Sequence, residues 1–297
     1  MANNAEPVRT EIVVGVDGST GSAHALAWAI GFAANRPGLV VQPVVAWETP
    51  MLDKANPFSN RYPDGGQVCD RAVLSAATII DPVIEVAGAE VEPIEAIEGN
   101  PGESLVDRAA NALMLVVGSR GRGGITSLVL GSVSSRCATS PAVPTVVVPD
   151  LGRVALVPPP AERITVGVDG SVAADRAAVW ARNQYPEAEI ALLKAWLPPV
   201  WYEVEPTAIP PISFKPGAEI ELDRHLVRIG EITPKGAKPF VAKLVQGDAR
   251  EVLSDEVEAD LLVLGAQQYH GMARAILGSV AQSVLHHLVV PTAIIPE

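Results

Sequence analysis

Ile12-Val-Val-Gly-Val-Asp-Gly-Ser19 returns almost unchanged as Ile164-Thr-Val-Gly-Val-Asp-Gly-Ser171. Each copy is a short apolar run that stops at Asp-Gly-Ser, the pattern of a strand buried on both faces and ended by a tight turn. Ser22 to Ala34 follows the first copy as an alanine-rich stretch with Leu26, Ile30 and Ala33 at helical spacing. A strand that feeds a helix, met twice, predicts an α/β fold built in duplicate.

The duplication extends outward from both strings. Trp28 and Trp180 stand at the same spacing beyond them, Val45-Ala46-Trp47 pairs with Lys194-Ala195-Trp196, Gly99 with Gly247, and Gly131-Ser132 with Gly278-Ser279. Both copies also close alike, in Val143-Pro-Thr-Val-Val-Val-Pro149 and Val290-Pro-Thr-Ala-Ile-Ile-Pro296. The repeat is therefore a whole domain, and 297 residues leave room for two domains of about 150 residues each. We divide the chain into a first domain over 1–150, a proline-rich linker over 151–160 and a second domain over 161–297. The tripled proline at 158–160 favours an extended, semi-rigid connector.

In the first copy a second strand is expected over Val40 to Trp47. A helix over 71–88 follows, with Val73, Ala76, Ala77, Ile80 and Ile84 on one stripe, then a third strand over Val91 to Ile97 and a helix over Gly102 to Ala112. Leu113 to Val117 is five consecutive apolar residues running into Gly118, the best buried strand of the copy. Ser132 to Ala138 then reads as a helix and Thr145 to Val148 as a last strand, short and proline-bounded, which suits a sheet edge. This alternation predicts two tandem open parallel sheets of Rossmann-like type, doubly wound with right-handed crossovers. Such sheets take ligands outside the carboxyl ends of their strands. The ends to inspect are 16–19, 46–50, 98–101 and 118–132.

At the last of these, Gly118-Ser-Arg-Gly121 is followed after nine residues by Gly131-Ser132-Val133-Ser134. Glycine permits positive φ and lets backbone N–H groups approach a phosphate, while a helix start at 131–134 adds unpaired donors and a positive dipole end. The hydroxyls of Ser132 and Ser134 can supply further donors, and Arg120 and Arg122 local positive charge. The plainer alternative is a flexible surface loop. Asp17, directly after the first strand, can accept from a ribose hydroxyl or an adenine amino group; its plainer role is an Asx turn or helix cap. Other nucleotide motifs fail: no lysine lies between Met114 and Ser134, and no G-x-G-x-x-G follows a first strand.

These residues resemble the universal stress protein family, in its tandem two-domain actinobacterial form, and its ATP-binding subgroup, whose G-x2-G-x9-G-[ST] pattern positions 118–132 match at every fixed place. The resemblance covers both copies. It implies that Val16, Asp17 and Ala46 line the base and sugar of ATP, and that Gly118, Gly121, Gly131, Ser132, Val133 and Ser134 take its phosphates. In the second copy it implies Val168, Asp169, Ala195, Gly265, Gly278, Ser279 and Val280. There the pattern breaks, because Gln268 stands at the second glycine position and the arginines at 120 and 122 become Gln267 and Tyr269. Weaker or altered binding is expected in the second copy. The resemblance further implies that the last strands pair across a dimer-like interface between the two halves of the chain, with a homodimer as the alternative.

The cofactor implied is ATP, alone or as its Mg²⁺ complex, held by a stress-response protein whose occupancy controls conformation or unidentified protein partners. The alternative is a slow ATP hydrolase or phosphotransferase, but positions 118–136 contain no Asp, Glu, His or Lys to act on water or hold a metal. A net charge of −12 argues against general affinity for nucleic acid or anionic lipid. Two cysteines, Cys69 and Cys137, form no zinc spacing or disulfide framework. No apolar run reaches membrane-spanning length, and a cytoplasmic location is expected. His24, His225, His270, His286 and His287 show no ligand spacing with carboxylates or cysteines and read as solvated or capping residues, with His270 alone in a binding loop where it could touch phosphate. The segments 48–68 and 197–217 follow each second strand and could cover the pockets or make interdomain contacts. Trp201 and Tyr202 in the latter could stack on a base or pack against the neighbouring domain.

Overall fold

The computed structural model describes residues 10–48, 65–85, 88–121, 130–152, 155–198, 215–255, 258–266 and 277–296. The chain divides into two compact units, 1–160 and 161–297. The linker expected over 151–160 thus belongs to the first unit. Gly31 shows how: a methyl group there would lie 2.5 Å from the carbonyl oxygen of Pro158, so the proline stretch rests directly on the first helix.

The first unit runs β1 (Glu11–Gly15), α1 (Thr20–Ala33), β2 (Val40–Trp47), α2 (Gly65–Ile84), β3 (Glu90–Val91), β4 (Glu95–Glu98), α3 (Pro101–Arg108), β5 (Met114–Gly118), α4 (Ser132–Thr139) and β6 (Thr145–Val148). Its strands are parallel in the order β2-β1-β5-β6, with β3 and β4 both paired to the outer side of β2. The short proline-bounded β6 ends that order. Apolar β1 and β5 lie at the centre, where Ile12, Val13, Val14 and Val116 are fully buried. Helix α1 is apolar on every side and is buried from Gly21 to Ala33.

The expected single strand over Val91 to Ile97 is two strands, and proline is the reason. Pro43 lies in β2 opposite Val14; having no N–H, it cannot donate to a partner on its other side. The outer strand breaks there, between Val91 and Glu95, and the Gln42 side chain bonds the carbonyls of Pro43 and Pro93 at 3.0 and 2.8 Å. The helix expected over Gly102 to Ala112 likewise ends at Arg108 and tightens into a 3₁₀ turn over Ala109–Asn111.

The second unit repeats the plan as β7 (Arg163–Gly167), α5 (Val172–Gln184), β8 (Glu189–Trp196), α6 (Lys215–Ile232), β9 (Val241–Gln246), α7 (Ala249–Ser254), β10 (Leu261–Gly265), α8 (Ser279–His286) and β11 (Thr292–Ile295). Its parallel order is β11-β10-β7-β8-β9. Leu192 occupies the place of Pro43, facing Val166 and Ala242, and here the outer strand β9 is continuous.

Candidate functional site

The carboxyl ends of β1, β2 and β5, the starts of α1, α3 and α4, and Asp150 beyond β6 surround a cleft of about 720 Å³ in the first unit. Val16, Asp17 and Ala46 line it on one side, and Gly118, Arg120, Gly121 and residues 131–134 on the other. Every described position expected for the first site therefore meets in one cavity. Arg122 lies outside the described residues.

Parallel pairing prepares the β1–β2 side. The N–H of Val16 donates to the Val44 carbonyl at 2.8 Å, so Val44 directs its polar groups toward β1. Two residues on, Ala46 faces the same way, but β1 has ended. Its N–H and C=O stand where a planar hydrogen-bonding edge could dock. Val168 donates to Leu193 at 2.9 Å and leaves Ala195 in the corresponding place in the second unit.

Asp17 makes the Asx turn considered for it and also faces the cleft. Its Oδ1 accepts from the Ser19 N–H at 3.0 Å and from the Ser19 hydroxyl at 2.6 Å, an Asx turn. Gly18 completes that turn at φ +80°. The cap of α1 is Ser19, whose Oγ accepts from the Ser22 N–H at 3.2 Å. Asp17 also lines the cleft, and a methyl group on Gly121 would come within 2.4 Å of its Oδ2. The second unit keeps the turn, with Ser171 N–H donating to Asp169 at 2.9 Å, but Asp169 is exposed where Asp17 is half-buried.

The glycine loop departs from expectation in two respects. Gly118, Gly121 and Gly131 do not have positive φ; close backbone approach selects Gly118 instead. A methyl group on Gly118 would lie 2.4 Å from the carbonyl oxygen of Gly21, and one on Gly21 would lie 2.3 Å from that of Arg120. These glycines let α1 press against the end of β5. Gly265 does the same against Ala173 in the second unit. Ser134, moreover, is buried and donates its hydroxyl to the Gly118 carbonyl at 2.6 Å, so that oxygen anchors the loop. The Gly131 N–H is also committed, to Ser119 O at 2.8 Å. Helix α4 begins after it, and Ser135 is the first amide to reach back, to Gly131 O at 2.8 Å. The amides of Ser132, Val133 and Ser134 form the open first turn, with no described acceptor, and the Ser132 side chain is exposed.

Asp150 and Thr20 complete this end of the cleft. The Thr20 hydroxyl donates to Asp150 Oδ2 at 2.8 Å, the Gly152 N–H to Oδ1 at 2.9 Å, and the Asp150 N–H to Ser119 Oγ at 3.1 Å. Val44, Pro101, Leu105, Val117 and Leu130 provide apolar wall. Pro101 fell within an inspected strand end; Asp150 did not, although the same rule applied to β6 would have included it. Among the described residues no group of three or more His, Cys, Asp or Glu could hold a metal ion, and no helix is long and apolar enough to cross a membrane.

The second unit leaves part of its site outside the described residues, Gln267, Gln268, Tyr269 and His270 included. Gly278 and Ser279 are exposed at the start of α8, Val280 is half-buried, and a methyl group on Gly278 would meet nothing within 4 Å. Trp201, Tyr202 and most of the two expected covering segments also lie outside. Two histidines correct the expectation of solvated rings. His24 and His225 are 7% and 3% exposed, His24 bonded through Nδ1 to Thr20 O at 2.8 Å and His225 packed beside Asp175. Contact with a residue distant in sequence carries no spacing signature.

Fold and cleft thus define a tandem α/β protein with a ligand-sized opening at the strand ends of its first unit. Residues 9–149 and 160–296 each match the model of the universal stress protein family, and the chain belongs to that family. Universal stress protein Rv2005c of Mycobacterium tuberculosis is 30% identical over 297 residues, covering 95% of this chain and 96% of its own. Universal stress protein Rv2623 of the same organism is 29% identical over 290 residues, covering 92% of each. Among solved structures, a universal stress protein from Archaeoglobus fulgidus shares the fold with a TM-score of 0.66 at 19% identity, over 98% of this chain and 99% of that one.

Proposed function

We propose that the first unit binds ATP as its Mg²⁺ complex and that occupancy sets the conformation or partner choice of a stress-response protein. The observation that carries this reading is the pairing, in one cleft, of the unpaired Ala46 backbone edge and Asp17 with the open first turn of α4. The Ala46 edge suits an adenine, the Asp17 carboxylate a ribose hydroxyl, and the amides of 132–134 a phosphate at a helix N-terminus. Among the described lining groups Asp17 and Asp150 oppose the single guanidinium of Arg120. A triphosphate entering such a site needs a divalent cation to offset the carboxylates.

The full chain is to be titrated with ATP in a calorimeter, with Mg²⁺ and then with EDTA, and any co-purified nucleotide identified after denaturation. Binding with Mg²⁺ that weakens at least about tenfold in EDTA supports the reading. Absence of nucleotide affinity under both conditions overturns it. A second reading, slow hydrolysis, gains one observation: Asp150 puts a carboxylate in the cleft that the loop itself lacks. Measurable ATP turnover that Asp150→Asn removes would favour it; ATP retained intact over hours favours holding.

A further inference from the structure

The duplicated module supplies its own control for the space between the first two helices of each unit. In the first unit Ala23 of α1, Val45 of β2 and Ala76 of α2 are all buried there. The fully buried Ile80 and Ile229 align α2 with α6, which places Asp175, Lys194 and His225 at those three positions in the second unit. Arg228 takes the position of Ile79. Four apolar residues of one copy are thus charged or ionisable in the other, on the sheet face opposite the α3–α4 side that lines the first-unit cleft. Asp175 and His225 are only 4% and 3% exposed, and desolvation makes such placements costly unless each charge is matched.

Arg228 matches Asp175 directly, its Nε 2.5 Å from Oδ2, and shares the site with the His225 ring. Arg228 Nη2 reaches three acceptors: Gly170 O at 2.8 Å, Asp175 Oδ1 at 3.0 Å and His225 Nδ1 at 2.8 Å. A guanidinium only donates, so a bond along the Arg228 contact uses the Nδ1 lone pair with the ring proton on Nε2, whereas a proton on Nδ1 points to Asp175. That Nε2 is buried with no partner. Asp175 Oδ1 stands 3.1 Å from the same Nδ1. A proton added to Nδ1 therefore turns it from acceptor to donor, commits it to Asp175 and sets two cations against each other where a hydrogen bond had been. Arg228 is the solvent-facing member, half-exposed where the other two are buried, and it holds the carbonyl of Gly170, the φ +90° glycine of the Asp169–Ser171 turn.

We propose that Asp175, His225 and Arg228 form a proton-operated latch in the second unit, in which protonation of His225 expels Arg228 from Gly170 and frees the turn that carries Asp169. The groups acting on the ring come from each neighbouring element: Asp175 from α5, Arg228 from α6 itself, Lys194 from β8 and Asp169 from the β7–α5 turn. Lys194 is in turn held by Glu221 at 3.0 Å, while β9 contributes Lys243, which is not among the charges acting on the ring. Burial, the largest influence, lowers the pKa of His225 from its ordinary 6.5, and Asp175 opposes that. The latch is closed at neutral pH and opens on acidification. It stands independently of nucleotide binding in either unit.

The test is an NMR titration of the full chain from pH 7.5 to about 5, following the His225 ring nitrogens together with exchange protection of the Ser171, Ala174 and Asp175 amides. Protection is expected to fall about tenfold, the worth of a charge-assisted bond, in step with His225 titration. It should stay flat in His225→Gln and in the double variant Asp175→Ala, His225→Ala, which restores the residues of the first unit. Wild-type protection that does not change as the ring titrates overturns the latch, as does an unchanged pH profile in either variant. Because the wild-type arm is decisive alone, a variant that fails to fold does not remove the test.

Discussion

At the scale of single residues, the loop glycines and serines separate into those that build the cleft and those that face a ligand. Gly118 is a builder: a methyl group there would sit 2.4 Å from the Gly21 carbonyl oxygen, backbone that cannot step aside. Gly118→Ala should cost about 1–3 kcal/mol, as overpacking does, read as a lowered urea midpoint without ligand. Ser134→Ala should cost about 1 kcal/mol through its lost bond to Gly118 O. On the proposed reading it should change ATP affinity less than Ser132→Ala, whose side chain is exposed at the helix start. Equal affinity losses would return the Ser134 hydroxyl to the ligand set. Glycine and serine positions were legible in the sequence; which atoms were already spent was not, because a hydroxyl and its carbonyl partner declare no pairing along the chain.

Elements are tied together at the opposite end of the first sheet. Arg108, at the end of α3, donates both Nη atoms to Glu11 of β1 at 2.8 and 2.7 Å and its Nε to Glu95 of β4 at 3.0 and 2.8 Å. This bidentate clamp raises the pKa of Arg108, chiefly through Glu11, and the Arg108 hydrogen bonds lower that of Glu11 against its partial burial. A carboxyl whose folded pKa is depressed adds stability above its unfolded value, near 4.5, and loses it as pH falls through the folded value. Arg108→Ala should therefore cost about 1–2 kcal/mol at pH 7 after solvent screening, with urea midpoints of variant and wild type converging below about pH 4. A constant gap down to pH 3 would refute the linkage. Element positions came through the sequence closely where apolar runs were unbroken, as in β5 and β6. They failed where a partner strand intervened: only pairing shows that Pro43 faces the outer strand and splits it.

For the whole molecule, duplication makes one unit the reference for the other. Both keep the Asx turn, the close glycine beneath the first helix and the open helix start, yet they differ in the residues around them. On the proposed reading the full chain should show one tight ATP equivalent. Gly131→Asp should abolish it, because a carboxylate at the α4 cap repels phosphate while remaining a good helix cap. Gly278→Asp should leave the tight event in place. Calorimetric stoichiometry checks both, and a tight event that survives Gly131→Asp would move the principal site elsewhere. Acid should act on the units in different pH ranges: His225 of the second begins to matter as pH falls below about 6.5, Glu11 of the first only below about 4.5.

The sequence by itself determined the duplicated α/β plan, the strands whose ends open on the cleft, and most of the lining from Val16 to Ser134. Those features are written in apolar periodicity and in residues that stay near one another along the chain. Tertiary structure alone decided that Asp150 and Thr20 join the cleft, that Ser134 and Gly118 are fastened to each other, and that Asp175, His225 and Arg228 meet between α5 and α6. The physical reason is common to all three. Burial and hydrogen bonding are properties of neighbours in space, and it is the packing of helices on the sheet that makes distant residues neighbours.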